Sequence, residues 1–221
     1  LTQSIAKKAG KILLNHKVGV IDTSRRVVFA GNKEFCYDRL ISTLPLDYML
    51  KITKGNDFDR IKKSASVLQQ LSIRIFHLVF EGNHSIEGTD FIFRRVSVLQ
   101  NLCPALARKG YTPISVEVSL NNDSKYISEE SMQKIVFKQL RSIKQFKKLG
   151  EPIECIVQYI PYAYPLPTIG LKDFVKDVHD YYNKYQVYLC GRGGNYDYCN
   201  SDKAYKQGKE TVLSALQQKE S

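Results

Sequence analysis

Near the C-terminus three apolar residues, Val187, Tyr188 and Leu189, run into Gly191-Arg192-Gly193-Gly194, and Asn200-Ser201-Asp202 then opens a helical run over 203–216. A short strand, a glycine-rich turn and a capped helix start, in that order, constrain the fold more than any other stretch of the chain. Glycine lets the backbone turn and approach a neighbour closely. The helix start leaves N–H groups without intrahelical partners at the positive end of the macrodipole. The N–H groups of Lys203 and Ala204 are therefore expected to form an anion or dipole receptor.

This run resembles the closing motif of FAD-dependent proteins of the amine-oxidase and UDP-galactopyranose-mutase group, in which a G-R-x-G turn leads to an N-x-D helix start. Three further stretches carry the same resemblance. Tyr37-Asp38-Arg39-Leu40-Ile41-Ser42-Thr43-Leu44-Pro45-Leu46 is similar to a Y-D-x-L-I-S-T-x-P-L strand. Phe91-Ile92-Phe93-Arg94-Arg95-Val96-Ser97-Val98-Leu99-Gln100-Asn101 is similar to F-Y-R-x-T/S-x-x-x-N, and Tyr162-Ala163-Tyr164-Pro165-Leu166-Pro167 to Y-x-Y-P-x-P. Together they extend the resemblance over nearly the whole chain.

The resemblance implies an FAD neighbour for Gly191, Arg192, Gly193, Gly194, Asn200, Ser201 and Asp202. It also implies a nucleotide-sugar substrate whose diphosphate contacts Arg95, Tyr164 and Tyr196, with Tyr198 able to take the place of Tyr196. A guanidinium suits that task because its planar fork makes two parallel charge-assisted bonds to phosphate oxygens. Arg94 is the alternative to Arg95 and, by strand alternation, is expected to face the other way. Gly193 departs from the pattern, replacing a bulky apolar residue. No residue is assigned a catalytic role, because in such enzymes the flavin does the bond-making. The implied activity is that of a mutase in surface-polysaccharide synthesis of the lipopolysaccharide or O-antigen type. An amine-oxidase or desaturase-like oxidoreductase and a catalytically inactive binding piece are the alternatives.

Such flavoproteins begin with a strand, a G-x-G-x-x-G turn and a helix that together bind the pyrophosphate. No such turn occurs among the 221 residues. The chain is accordingly expected to be the middle and C-terminal portion of a longer protein, and not to retain FAD on its own. The expected organisation is a partial FAD-domain hairpin and return strand over 1–45, a substrate-binding domain over 46–165 and an FAD-domain closing segment over 166–221. The expected fold class is α+β: a mostly antiparallel sheet with flanking helices, plus the C-terminal edge of an FAD-binding α/β domain.

Hydrophobic residues make up 43% of the chain and charged residues 25%, a globular balance with no apolar run long enough to span a bilayer. A cytoplasmic location follows as the expectation. The net charge of +11 raises the question of nucleic acid, but the basic residues are dispersed and no nucleic-acid motif is present. Their densest run, Lys134 to Lys148, alternates with Met132, Ile135, Val136, Leu140 and Ile143 at helical spacing, which makes it a solvated face. Peripheral contact with an anionic membrane surface and homo-oligomerisation stay open. The five cysteines form no C-x-x-C pair, and the four histidines, including His84 in a polar loop, fit no metal motif.

Periodicity predicts a helix over 2–16, a hairpin of 18–21 with 27–30, a strand over 37–43, and helices over 46–53 and 58–69. Strands over 71–80, 91–99 and 114–120 follow, then the basic helix over 128–149 and a strand over 153–159. A helix over 171–185 precedes the closing strand, turn and helix.

Overall fold

The computed structural model describes residues 2–82, 94–106, 108–120 and 127–217. The elements in chain order begin with α1 (Thr2–Ala6), β1 (Val18–Asp22), β2 (Val27–Ala30), β3 (Lys33–Cys36), β4 (Leu40–Ser42), α2 (Leu46–Ile52), β5 (Thr53–Lys54) and α3 (Phe58–Lys63). There follow β6 (Gln69–Glu81), β7 (Arg95–Val98), α4 (Leu99–Leu102), β8 (Tyr111–Leu120), α5 (Glu129–Ser142) and β9 (Glu154–Leu166). The chain closes with α6 (Leu171–Lys184), β10 (Val187–Leu189), α7 (Gly191–Gly194) and α8 (Ser201–Gln217). The class is the expected α+β. Two compact units divide it, residues 1–69 with 167–221 and residues 70–166.

In the first unit β1 and β2 form the anticipated antiparallel hairpin, extended by β3 on one side and by β5, parallel to β1, on the other. A separate parallel pair joins β4 to β10, with Leu40 across from Val187 and Ser42 from Leu189. Helix α6 buries Phe174, Val178, Tyr181 and Tyr182, a three- and four-residue stripe, against Ile21, Leu46, Met49, Phe58 and Val187. Two phenols at its centre are satisfied by threonines. Thr53 Oγ1 donates to the Met49 carbonyl (2.8 Å) and accepts from Tyr182 (2.7 Å). Thr23 Oγ1 donates to the Lys54 carbonyl (3.1 Å) and accepts from Tyr181 (3.1 Å). Gly55 passes this network so closely that a Cβ there would lie 2.0 Å from Thr23 Oγ1.

Leu46, Met49, Leu50, Phe58 and Ile61 share this core with Ile21 and Val187, so the first unit runs on past residue 45 and is left only near Gln69. The N-terminal helix is shorter than its pattern suggests. It stops at Ala6, and Ile5, Ile12, Leu13 and Leu14 are exposed, so among the described residues that stripe has no surface to pack on. The helix expected over 58–69 likewise ends at Lys63, followed by a single 3₁₀ turn over Ala65–Val67. The strand expected over 37–43 is shorter, β4 running only from Leu40 to Ser42, and β3, not expected, precedes it over Lys33–Cys36.

The second unit is a four-stranded sheet in the order β7-β8-β6-β9, with β6–β8 and β8–β7 antiparallel. Strand alternation splits its side chains between two faces. Phe76, Leu78, Phe80, Ile114 and Val116 lie on one, covered by Met132, Val136 and Leu140 of α5. Ile73 packs with Ala163 and Tyr164 in a smaller cluster, and Ile75 joins it. Helix α5 starts at an N-cap, Ser128, whose Oγ accepts from the Ser131 N–H (3.2 Å), and carries Glu129 and Glu130 in its first turn and Arg141 in its last, as the macrodipole favours.

Candidate functional site

Four sequence stretches carry the expected function, and the fold brings them together in pairs, one pair in each unit. In the second unit the β7–β8 register sets Arg95 directly across from Glu117, and Glu117 across from Ile75 of β6. Paired residues share a sheet face, so all three lie on the side of Ile75 and Tyr164. Arg95 donates from Nε (2.9 Å) and Nη2 (2.6 Å) to Oε1 of Glu117, and the Tyr164 hydroxyl donates to Oε2 (3.3 Å). Burial works against the charge on Arg95, and the hydrogen bond and charge of Glu117 more than offset it, so the guanidinium is held more firmly protonated.

Arg94 does not turn away as alternation predicts. It occupies a bend one residue before β7, where strand alternation does not apply, and its guanidinium carbon lies 3.6 Å from the centroid of the Tyr164 ring. The Tyr164 ring is 8% exposed, while Arg94 lies in solvent. The motif thus delivers two arginines to one tyrosine. Glu117, which joins Arg95 to Tyr164, escaped the sequence reading because its role depends on strand register, and Tyr111 to Leu120 shows only alternation. Phe91, Phe93 and His84 lie outside the described residues.

In the first unit the second pair meets along β4 and β10. Cys190 N–H donates to the Ser42 carbonyl (2.9 Å), and Leu40 N–H to that of Gln186 (2.9 Å). The glycine run after β10 folds into the single turn α7. A Cβ on Gly194 would lie 3.0 Å from the Ser42 carbonyl oxygen, and one on Gly193 would lie 3.2 Å from Pro45 Cα and 3.3 Å from the Thr43 oxygen. These two glycines therefore let the turn rest on the Ser42–Pro45 backbone, a structural duty. Gly191, at φ +74°, has open space around it.

Beyond the turn the expected site residues separate. Tyr196 is buried in the core cluster at 7% exposure, adopts φ +49°, and its hydroxyl has no partner among the described residues. Burial, assisted by the charge of Asp47, pushes its phenol well up. Tyr198 is the one presented to solvent, 59% exposed, with the Arg192 guanidinium 5.2 Å from its ring. Arg192 donates through Nε (2.9 Å) and Nη2 to the Cys199 carbonyl, tying α7 to the approach of α8. Asp197 accepts from Lys203 (2.7 Å) and Gln207 (2.9 Å), and the Lys203 hydrogen bond, outweighing the opposing effect of burial, holds its carboxyl low.

Helix α8 starts at Ser201, with Ala204 N–H bonded to the Asn200 carbonyl (3.0 Å), and Asn200, Ser201 and Asp202 are all exposed. The Ala204 N–H, expected to be open to a ligand, is spent inside the helix, and the side chains of Asn200, Ser201 and Asp202 face solvent. With Gly193 and Gly194 filled by backbone, Arg192, Gly191 and this helix start are what the run offers such a ligand. A separate groove of about 750 Å³ between α3 and α6, bordered by Asp57, Arg60, Asp177, Asp180 and Lys184, contains no motif residue.

Comparison with solved structures places this fold. A crystal structure of reduced UDP-galactopyranose mutase superposes with a TM-score of 0.84 at 21% identity, over 97% of this chain and 49% of that one. A protein assigned as a protoporphyrinogen oxidase from Exiguobacterium sp. 255-15 gives 0.67 at 17% identity, over 87% of this chain and 44% of that one. An oxidoreductase from Methanosarcina mazei gives 0.58 at 13% identity, over 96% and 52%. The chain shares their fold and spans about half the length of each. No family model matches the sequence, and no curated protein matches it. Among the described residues no helix is long and apolar enough to cross a membrane, and no cluster of His, Cys, Asp or Glu could hold a metal ion.

Proposed function

We propose that this chain is part of a flavin-dependent enzyme that acts on a nucleotide-sugar, in the manner of UDP-galactopyranose mutase, in the cytoplasmic assembly of a surface polysaccharide. The observation that carries the reading is the convergence of Arg94, Arg95 and Tyr164 in the second unit of a mutase-like fold. Two guanidiniums gathered at one tyrosine suit an anionic ligand with several phosphate oxygens, which would share Arg95 and the Tyr164 hydroxyl with the carboxylate of Glu117.

Bound flavin would supply the bond-making at the sugar. The residues of this chain would hold the diphosphate through the arginines, order it through Tyr164, and support one flavin edge with Asn200, Ser201 and Asp202. Tyr198 is exposed beside Arg192, whereas the ring of Tyr196 packs in the core.

Titration calorimetry of the chain with UDP tests the reading, with uridine as the control. Binding of UDP well above uridine supports it, and equal weak binding of both refutes the nucleotide-sugar assignment. The fold is shared with oxidases too, so oxygen uptake with an amine in the presence of FAD, without UDP binding, would move the assignment to an amine-oxidase-like enzyme.

A further inference from the structure

Residues 3–15 are exposed along their whole length. The segment is fastened to the first unit at its far end, where the Lys17 carbonyl accepts from the Gly31 N–H (3.2 Å) and the His16 ring meets that of Phe35 at 6.3 Å between centroids. Ile5, Ile12, Leu13 and Leu14 are 40–76% exposed. Large aliphatic side chains kept in water over one short stretch mark a surface that something covers. The charges beside them indicate what. Lys7, Lys8, Lys11 and Lys17 are all exposed, and no Asp or Glu occurs in the sequence before Asp22. Residues 1–17 also hold no Arg, Phe, Tyr or Trp. Protein interfaces favour arginine and aromatic rings and are depleted in lysine, so this composition argues against a protein partner. Lysines with aliphatics suit anionic lipid, where the lysine stems lie along apolar surface and the ammonium heads stay among the headgroups.

At 3.6 residues per turn, Ile5, Ala9, Ile12 and Leu13 fall within about a third of a helix circumference, with Lys7 and Lys11 opposite and Lys8 at the margin. The helix of the structure stops at Ala6, yet Asn15 already holds φ +60°, the left-handed conformation in which helices commonly end. We propose that residues 2–14 form an interfacial anchor. On an anionic membrane surface they complete a helix that ends at Asn15, lay Ile5, Ile12 and Leu13 into the headgroup boundary, and meet lipid phosphates with Lys7, Lys8, Lys11 and Lys17. Such a helix lies on the bilayer and does not cross it. The anchor is independent of the nucleotide-sugar reading.

Co-sedimentation of the whole chain with vesicles tests it. Vesicles of phosphatidylglycerol and phosphatidylcholine in equal parts should bind about tenfold or more tighter than phosphatidylcholine alone, and high salt should remove the difference. Lys7→Gln with Lys11→Gln should weaken that binding about tenfold or more, and Ile5→Glu with Ile12→Glu should abolish it. All four positions are exposed, so both pairs should melt with the wild type. Amide exchange across residues 7–14 should slow on the anionic vesicles and not on the neutral ones, because the extended helix ties up those N–H groups. Lys138→Gln with Lys148→Gln, in the basic run of the second unit, should leave binding unchanged. A larger loss from that pair than from Lys7 and Lys11, equal binding to both kinds of vesicle, or binding to neither overturns the proposal. Self-association in solution without vesicle binding, lost in Ile5→Glu with Ile12→Glu, overturns it in favour of a second copy of the chain.

Discussion

Glu117 stands across the β7–β8 ladder from Arg95, with Oε1 2.6 Å from Nη2. The partner of Arg95 is thus set by strand register, and the same carboxylate accepts from Tyr164. Glu117→Leu removes an acceptor from both. Because Arg95 is more than half exposed, the cost is at the surface end, about 1 kcal/mol by urea denaturation. The reciprocal double variant Arg95→Glu with Glu117→Arg should recover most of it. A loss above about 3 kcal/mol would show that the pair is insulated from water in a way this geometry does not imply.

The close approach of α7 to β4 makes opposite predictions for two glycines. In Gly194→Ala the new methyl meets the Ser42 oxygen at 3.0 Å and the Leu189 carbonyl carbon at 3.5 Å, backbone atoms that cannot swing away. A loss of about 1–3 kcal/mol is expected. Gly208, inside α8, has nothing within 4 Å of its Cβ, and Gly208→Ala should stabilise by about 0.5–1 kcal/mol. Thermal melts of the two variants should move in opposite directions.

Removing a hydroxyl should likewise have opposite signs at two buried tyrosines. Tyr182→Phe deletes the donor to Thr53 and should cost about 1 kcal/mol. The Tyr196 hydroxyl is buried without a partner among the described residues, so Tyr196→Phe should be neutral or gain about 1 kcal/mol. Equal losses in both would show that the Tyr196 hydroxyl is bonded in solution.

Burial, the leading cause, raises the Tyr37 phenol to about 12 from its ordinary 10.0, with Arg26 opposing. A raised value means that the folded chain keeps a proton the unfolded chain gives up. The sign follows: this contribution is complete below pH 10, and is lost as pH climbs from 10 toward 12. Stability should fall across that window. Absorbance at about 295 nm, where tyrosinate absorbs, should show Tyr37 ionising late, and Tyr37→Phe should flatten the fall. A Tyr37 that titrates with the exposed phenols would contradict it.

What the sequence made legible was local. The hairpin around Asp22–Arg26, the amphipathic stripe of α6 and the strand before Gly191 all follow from period and turn chemistry, and the structure has them. The strand motif with Arg94 and Arg95 falls at the start of β7. What could not be read depended on partners far along the chain. Glu117 acquires its role from register, Gly193 and Gly194 are needed because Ser42 and Pro45 lie against them, and Tyr196 and Tyr198 differ only in which one the core claims. The stripe at Ile5, Ile12 and Leu13 misled for the same reason, since periodicity states that a face is apolar and says nothing about whether anything covers it.

The pairing of β4 with β10 sets a timetable for synthesis. Ser42 emerges from the ribosome long before Leu189, its partner in the ladder, because the whole of residues 70–166 is made in between. At ordinary elongation rates the wait is on the order of ten seconds. During it the nascent first unit has Leu46, Met49 and Phe58 exposed without Val178, Tyr182 and Val187 to cover them, while the second unit, continuous in sequence, can complete its own sheet. The interval before α6 and β10 arrive is therefore when this chain is most exposed to aggregation and most dependent on chaperones.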